Sequence, residues 1–208
     1  VDEPFLAEMY SVTAGIGGSA SQAALEILQV EGFPLAGFIL QQPEAAARIL
    51  GDDLAAAAEL IEASDSVTAP PARIVYRLIY VDPRLGARLV AQLDETPGSK
   101  LAVESLAYLA YDDARHRRSP KLPISLERDG EFLAALLDIK GGRWLSDTLG
   151  QAFETYGRHI SEERVAGDFL VRFQATLESA AAALPQGGPR SELETVILQV
   201  IRRYKDPE

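Results

Sequence analysis

Helix-start and helix-stop residues punctuate this chain from end to end, and that punctuation limits its fold more than any other feature. Ser19 and Gln22 stand at capping-box spacing before "AALEILQV", and Gly32 closes that run. Ala24, Ile27, Leu28 and Val30 supply one apolar side. Pro43 opens "PEAAARILGDDLAAAAELIEAS", where its missing N–H costs nothing in a first helical turn. Asp82 followed by Pro83 repeats that start, Thr96-Pro97 opens another, and Ser191 with Glu194 forms a second capping box after the break "PQGGP". The pattern predicts about nine helices joined by short Pro/Gly loops, which leaves little room for a sheet. "AGFIL" and "ARIVYRLIYV" are rich in β-branched and aromatic residues and also fit buried strands. Ile74, Leu78 and Val81 recur at helical spacing, so the helical reading is preferred.

The 208 residues, 47% of them apolar, suffice for one sizeable core or two small ones. Charges interrupt every apolar run before it reaches the eighteen or so residues of a membrane helix, so no membrane partner is expected. The opening "VDEPFLAEMY" lacks the basic start and apolar stretch of a signal peptide, and the chain begins without Met. The expectation is a processed or excised form of a cytoplasmic protein. There is no cysteine, which excludes disulfides, thiolate catalysis and thiolate-bound zinc. Of the formal net charge of -11, residues 1–64 carry ten acids against the single base Arg48. Such a surface repels nucleic acid, favours solubility and attracts basic partners.

The segment "SKLAVESLAYLAYDDARHRR", residues 99–118, is apolar on nearly every face and then turns acidic and basic. A helix apolar all round is a helix buried on more than one side. An internal echo gives it a setting. "QPEAAARIL" at 42–50 aligns with "DPRLGARLV" at 82–90, matching Pro43 to Pro83, Ala47 to Ala87 and Arg48 to Arg88. The offset suits two- or three-helix repeats that stack on each other. "AVESLAYLAYDDARHRR" resembles the second helix of an armadillo repeat and its turn, and "EGFPLAGFIL" and "RDGEFLAALLDI" resemble Gly-started third helices of such repeats. "AVESLAYLAYDD", residues 102–113, is also similar to a segment of the UCS-domain myosin chaperones, which are armadillo-type proteins. The resemblance implies an all-α, right-handed armadillo- or HEAT-like superhelix. On this reading residues 1–18 are an N-terminal extension, 19–140 hold the repeats and 141–208 form a helical C-terminal cap. It also implies a non-enzymatic protein-binding scaffold or chaperone-like module, whose partner is a protein or peptide.

Among candidate sites, Arg115, Arg117, Arg118 and Lys121, with His116, form the densest basic cluster. Guanidinium forks recognise carboxylates and phosphates, and cations also offset the negative end of a helix. These four residues are the candidate protein-binding site. "GIGGSA", Gly15–Ala20, matches the G-x-G-x-x-A dinucleotide fingerprint, but "AEMYSVTA" before it is a poor core strand and no ribose-binding acid follows "LAGFIL". A nucleotide-binding enzyme using this turn stays open as an alternative, as does a helical bundle holding a small apolar ligand. His116 and His159 show no metal-ligand spacing, and no G-x-S-x-G elbow exists, so neither a metal nor a catalytic residue is assigned and no cofactor is expected. Asp52-Asp53, Asp112-Asp113 and Glu162-Glu163 are sequence neighbours and diverge by about 100° on a helix, which is the wrong geometry for an acid–base pair. Trp144 reads as core.

Overall fold

The computed structural model describes residues 43–63, 75, 78–79, 81–93, 102–107, 109, 126–159 and 166–205. Among these the chain is all-helical, with no strand. The principal helices are α1 (Pro43–Asp52), α2 (Leu54–Ala63), α3 (Pro83–Leu93), α4 (Leu126–His159), α5 (Ala166–Ala183) and α6 (Gly188–Lys205). Residues 75, 78–79 and 81 are also helical, as are 102–107 and 109. At the described residues of "ARIVYRLIYV" the strand alternative falls, because Val75, Leu78 and Ile79 use helical spacing to bury one face, while "AGFIL" lies outside the described residues.

The run from Pro43, expected as one helix, divides at Asp53. Asp53 Oδ1 accepts the N–H of Ala56 at 3.1 Å, and its carbonyl accepts that of Ala57 at 3.0 Å. A short acidic side chain competes for backbone N–H groups, so Asp53 serves as N-cap of α2 and ends α1. Asp82 caps α3 as its sequence predicts, accepting Leu85 N–H on Oδ1 at 3.0 Å with Pro83 in the first turn. A Cβ on Gly86 of α3 would lie 2.7 Å from Ile79 Cγ1, so glycine lets α3 fold back closely on the turn before it.

The second expected capping box does not form. Helix α6 starts earlier, at Gly188, and the Ser191 N–H donates to the Gly187 carbonyl at 3.1 Å. Pro189 tolerates that earlier start because its missing N–H is not needed there. Glu194 instead accepts from Arg190 Nε at 2.7 Å, and the Ser191 carbonyl accepts the Thr195 hydroxyl at 2.8 Å. Arg190 Nη1 also donates to the carbonyls of Ala182 at 3.0 Å and Leu184 at 3.4 Å. A guanidinium there satisfies carbonyls left open at the end of α5 and fixes the corner between α5 and α6.

Within the segment whose sequence is apolar on nearly every face, the described residues 102–107 and 109 are buried on nearly every face. Ala102, Val103, Ser105, Leu106, Ala107 and Leu109 are all in the core, and only Glu104 among 102–107 is half-buried. Consecutive buried residues on a helix require neighbours on more than one side. Helix α4 is the hub of the remainder. It packs against α3, α5 and α6, α5 packs against α6, α2 against α3, and α1 against α2. Helix α5 returns antiparallel along α4, with Phe173 stacked on Phe153 at 4.7 Å near one end and Ala180 against Gly130 near the other. Each large aliphatic or aromatic side chain buried in these seams contributes about 1.5–3 kcal/mol.

Helix α4 is interrupted at Gly141, where φ is 82° and ψ is 163°. A Cβ disfavours that conformation, so "KGGR" breaks the helix, which resumes on the far side of the glycine pair. Nothing lies within 4 Å of a Cβ built there, so the constraint is the backbone itself. Gly141→Ala is expected to cost about 1–3 kcal/mol without any steric clash. Thermal denaturation monitored by circular dichroism checks this, and an unchanged melting temperature would mean that the break is not held in this conformation.

Candidate functional site

Restarting the helix after Gly141 turns one face of the second half of α4 toward α6. A Cβ on Gly142 would lie 3.3 Å from Val196 Cγ2, so the two helices approach closely at this level. Along this pair of faces an open groove of about 520 Å³ lies between them. From α4 it is lined by Gly142, Arg143, Ser146 and Asp147, a helical i, i+1, i+4, i+5 set that shares one face. From α6 it is lined by Glu192, Thr195, Val196, Gln199 and Arg203, spaced at three and four residues for the same reason. The contacts Gly142 to Val196 and Asp147 to Arg203 show that the two helices run in the same direction past each other.

The groove is polar, and its charges are separated along its length. Glu192 is at the end nearer the helix break. Asp147 and Arg203 are further along, and Arg143, rooted beside Gly142, reaches along the rim toward Asp147. Asp147 lies 3.9 Å from both Arg143 Nε and Arg203 Nη1. That distance is too long for a hydrogen bond, and the side chains are 96% exposed at Arg143 and 68% at Arg203. Exposed ion pairs of this kind contribute only about 0–1 kcal/mol, so both guanidinium forks remain available to another carboxylate. The floor differs from the rim. At the floor, Ser146 is buried with no hydrogen-bond partner for its hydroxyl; Trp144, outside the groove lining, is buried on α4 with its indole Nε1 likewise unpartnered. Trp144 is thus core, in keeping with its sequence context, with Lys140 Nζ 5.8 Å from its ring centroid in cation–π range.

A second unusual polar group lies far from the groove. Asp129, in the first turn of α4, is 1% exposed, and neither carboxylate oxygen has a hydrogen-bond partner. Burial pushes its carboxyl up to about 7 from the usual 3.8. A helix N-terminus favours the ionised form, but here the cost of removing the charge from water dominates.

The basic cluster Arg115, Arg117, Arg118 and Lys121 lies outside the described residues, as does the Gly15–Ala20 turn. Sequence alone does not single out the groove residues. Arg143 and Arg203 are remote in the chain, and only the paired glycines of "DIKGGR" hint that the helix face changes there. Among the described residues no group of three or more His, Asp or Glu side chains is placed to hold a metal ion, and no helix is long and apolar enough to cross a membrane. No family model, curated protein or solved structure matches the chain.

Proposed function

We propose that this chain is a non-enzymatic protein-binding module, an armadillo- or HEAT-like stack of helices that presents a groove to a protein or peptide partner. The observation that carries this reading is the open, charge-lined groove between the second half of α4 and α6. Its rim holds guanidinium and carboxylate groups that are solvated and weakly paired, which is the state of groups that can exchange one partner for another at little cost. The stacked arrangement is supported by the order of the packing. Each of the helices α1 to α6 packs on the next of the six, and α4 also packs on α6, so apolar faces cover one another from α1 to α6. It is supported also by the helical residues 102–107, which are buried on more than one side. Small-angle scattering tests the shape: a layered stack scatters as an elongated, curved particle, and a profile of a compact sphere argues against it.

Function is tested by capture followed by reconstitution. The full chain, immobilised in lysate of its own source cells, is expected to retain a defined protein. That protein, purified separately, is expected to form a complex of fixed stoichiometry with it on size exclusion. Failure to reconstitute any complex from purified components would contradict the reading.

A further inference from the structure

The groove specifies what kind of segment fits it. Glu192 and Arg203 are eleven positions apart on α6, which at 1.5 Å per residue separates them by about 16 Å along the helix. An extended peptide covers that distance in about five residues. At the Arg203 end, two guanidinium groups share one carboxylate, Asp147, and neither is within hydrogen-bonding distance of it. An incoming carboxylate there meets two charged donors and can take bidentate bonds from either fork. At the other end the rim acid is Glu192, which is exposed. The middle offers the exposed Gln199 amide, which can bond a peptide backbone, and the exposed Thr195 hydroxyl, which donates to the Ser191 carbonyl and can still accept a backbone N–H.

Resting on the protein-binding reading, we propose that the α4–α6 groove takes an extended peptide segment bearing an acidic side chain at the Arg203 end, where the Arg143 guanidinium also reaches toward Asp147, and a basic side chain about five residues away at the Glu192 end. The charges of the groove sum to zero, with two Arg against Asp147 and Glu192, so the preference is for a pattern and not for a net charge. A purely acidic or purely basic segment satisfies one end and is repelled at the other. The bound pairs lie at a solvent-exposed rim, so binding weakens as salt rises.

The test uses a displayed library of random dodecapeptides selected on the full 208-residue chain. Enriched peptides are expected to carry an acid and a base at that separation. The best of them is expected to bind Arg203→Glu about tenfold more weakly, since an attraction becomes a repulsion, and to regain affinity when its own acid is replaced by Lys. Glu192→Lys is expected to be rescued by the reciprocal change of the peptide base. Both substituted positions are exposed, and circular dichroism checks that helicity is retained. Enriched peptides without a charge pattern, or with affinity indifferent to both substitutions, would overturn the groove proposal while leaving the protein-binding reading standing. Failure to enrich any peptide overturns the proposal too, and the wider reading falls with it only if reconstitution also fails.

Discussion

Asp129→Asn is expected to raise the melting temperature at pH 8 and to leave it nearly unchanged at pH 4. The carboxyl titrates near 3.8 when the chain is unfolded and near 7 when it is folded. Below the lower value both states hold the proton, and the group costs nothing. Between the two values only the folded state holds it, so unfolding releases a proton and stability falls as pH rises. Above the upper value both states are ionised and the loss is complete. The difference between the two values corresponds to about 4 kcal/mol at the conversion of 1.36 kcal/mol per pH unit, an upper figure for a site that can relax. In a chain of this size that is on the order of 10 °C. Asn keeps the shape and the polarity but cannot ionise, so the difference between the two proteins traces this one group. Parallel melting curves of wild type and variant from pH 4 to 8 would contradict the burial of Asp129 in the seam of α4.

Gly130→Ala, at the next residue, is expected to be the most damaging small substitution in the described structure. A Cβ there would sit 3.1 Å from Leu184 Cγ and would overlap the carbonyl of Ala180, which belongs to the backbone of α5 and cannot turn aside. The two helices must separate to admit it, opening a seam that holds Ala180 and Leu184 in the core. Overpacking of this kind costs about 1–3 kcal/mol and more where backbone must move. It outweighs the roughly 1 kcal/mol that alanine otherwise gains over glycine in a helix. Gly150→Ala is the matched control, since nothing lies within 4 Å of its Cβ position and the residue lies inside α4. The control should raise the melting temperature slightly and Gly130→Ala should lower it by about 5 °C or more. If both substitutions stabilise, α4 and α5 do not cross at Gly130.

Local sequence speaks clearly in some of these places and stops short in others. Asp82-Pro83 announces α3 because both residues act within one turn of themselves, through a side-chain cap and a fixed φ. The apolar run at 102–107 announces burial on more than one side because it offers water almost no polar face. Ser191 misleads because Gly187, Gly188 and Pro189 permit an earlier start, and Arg190 claims Glu194 before a capping box can use it. The break at Asp53 is hidden inside a long Ala-rich run whose propensity is helical on both sides. The groove is not legible at all. It depends on Gly141 re-aiming half a helix and on α6 arriving parallel to it, so Arg203 joins the i, i+4 pair Arg143–Asp147 only in three dimensions.

Function, on this reading, turns on whether a partner lies in the α4–α6 groove. The most direct test places a photoreactive phenylalanine at Gln199, on the groove wall, and separately at Ala175, exposed on α5. With the reconstituted partner present, cross-linking is predicted from Gln199, to be weakened in the Arg203→Glu background, and none is predicted from Ala175. Equal cross-linking from both positions, or cross-linking from Ala175 alone, would contradict a partner seated in the groove.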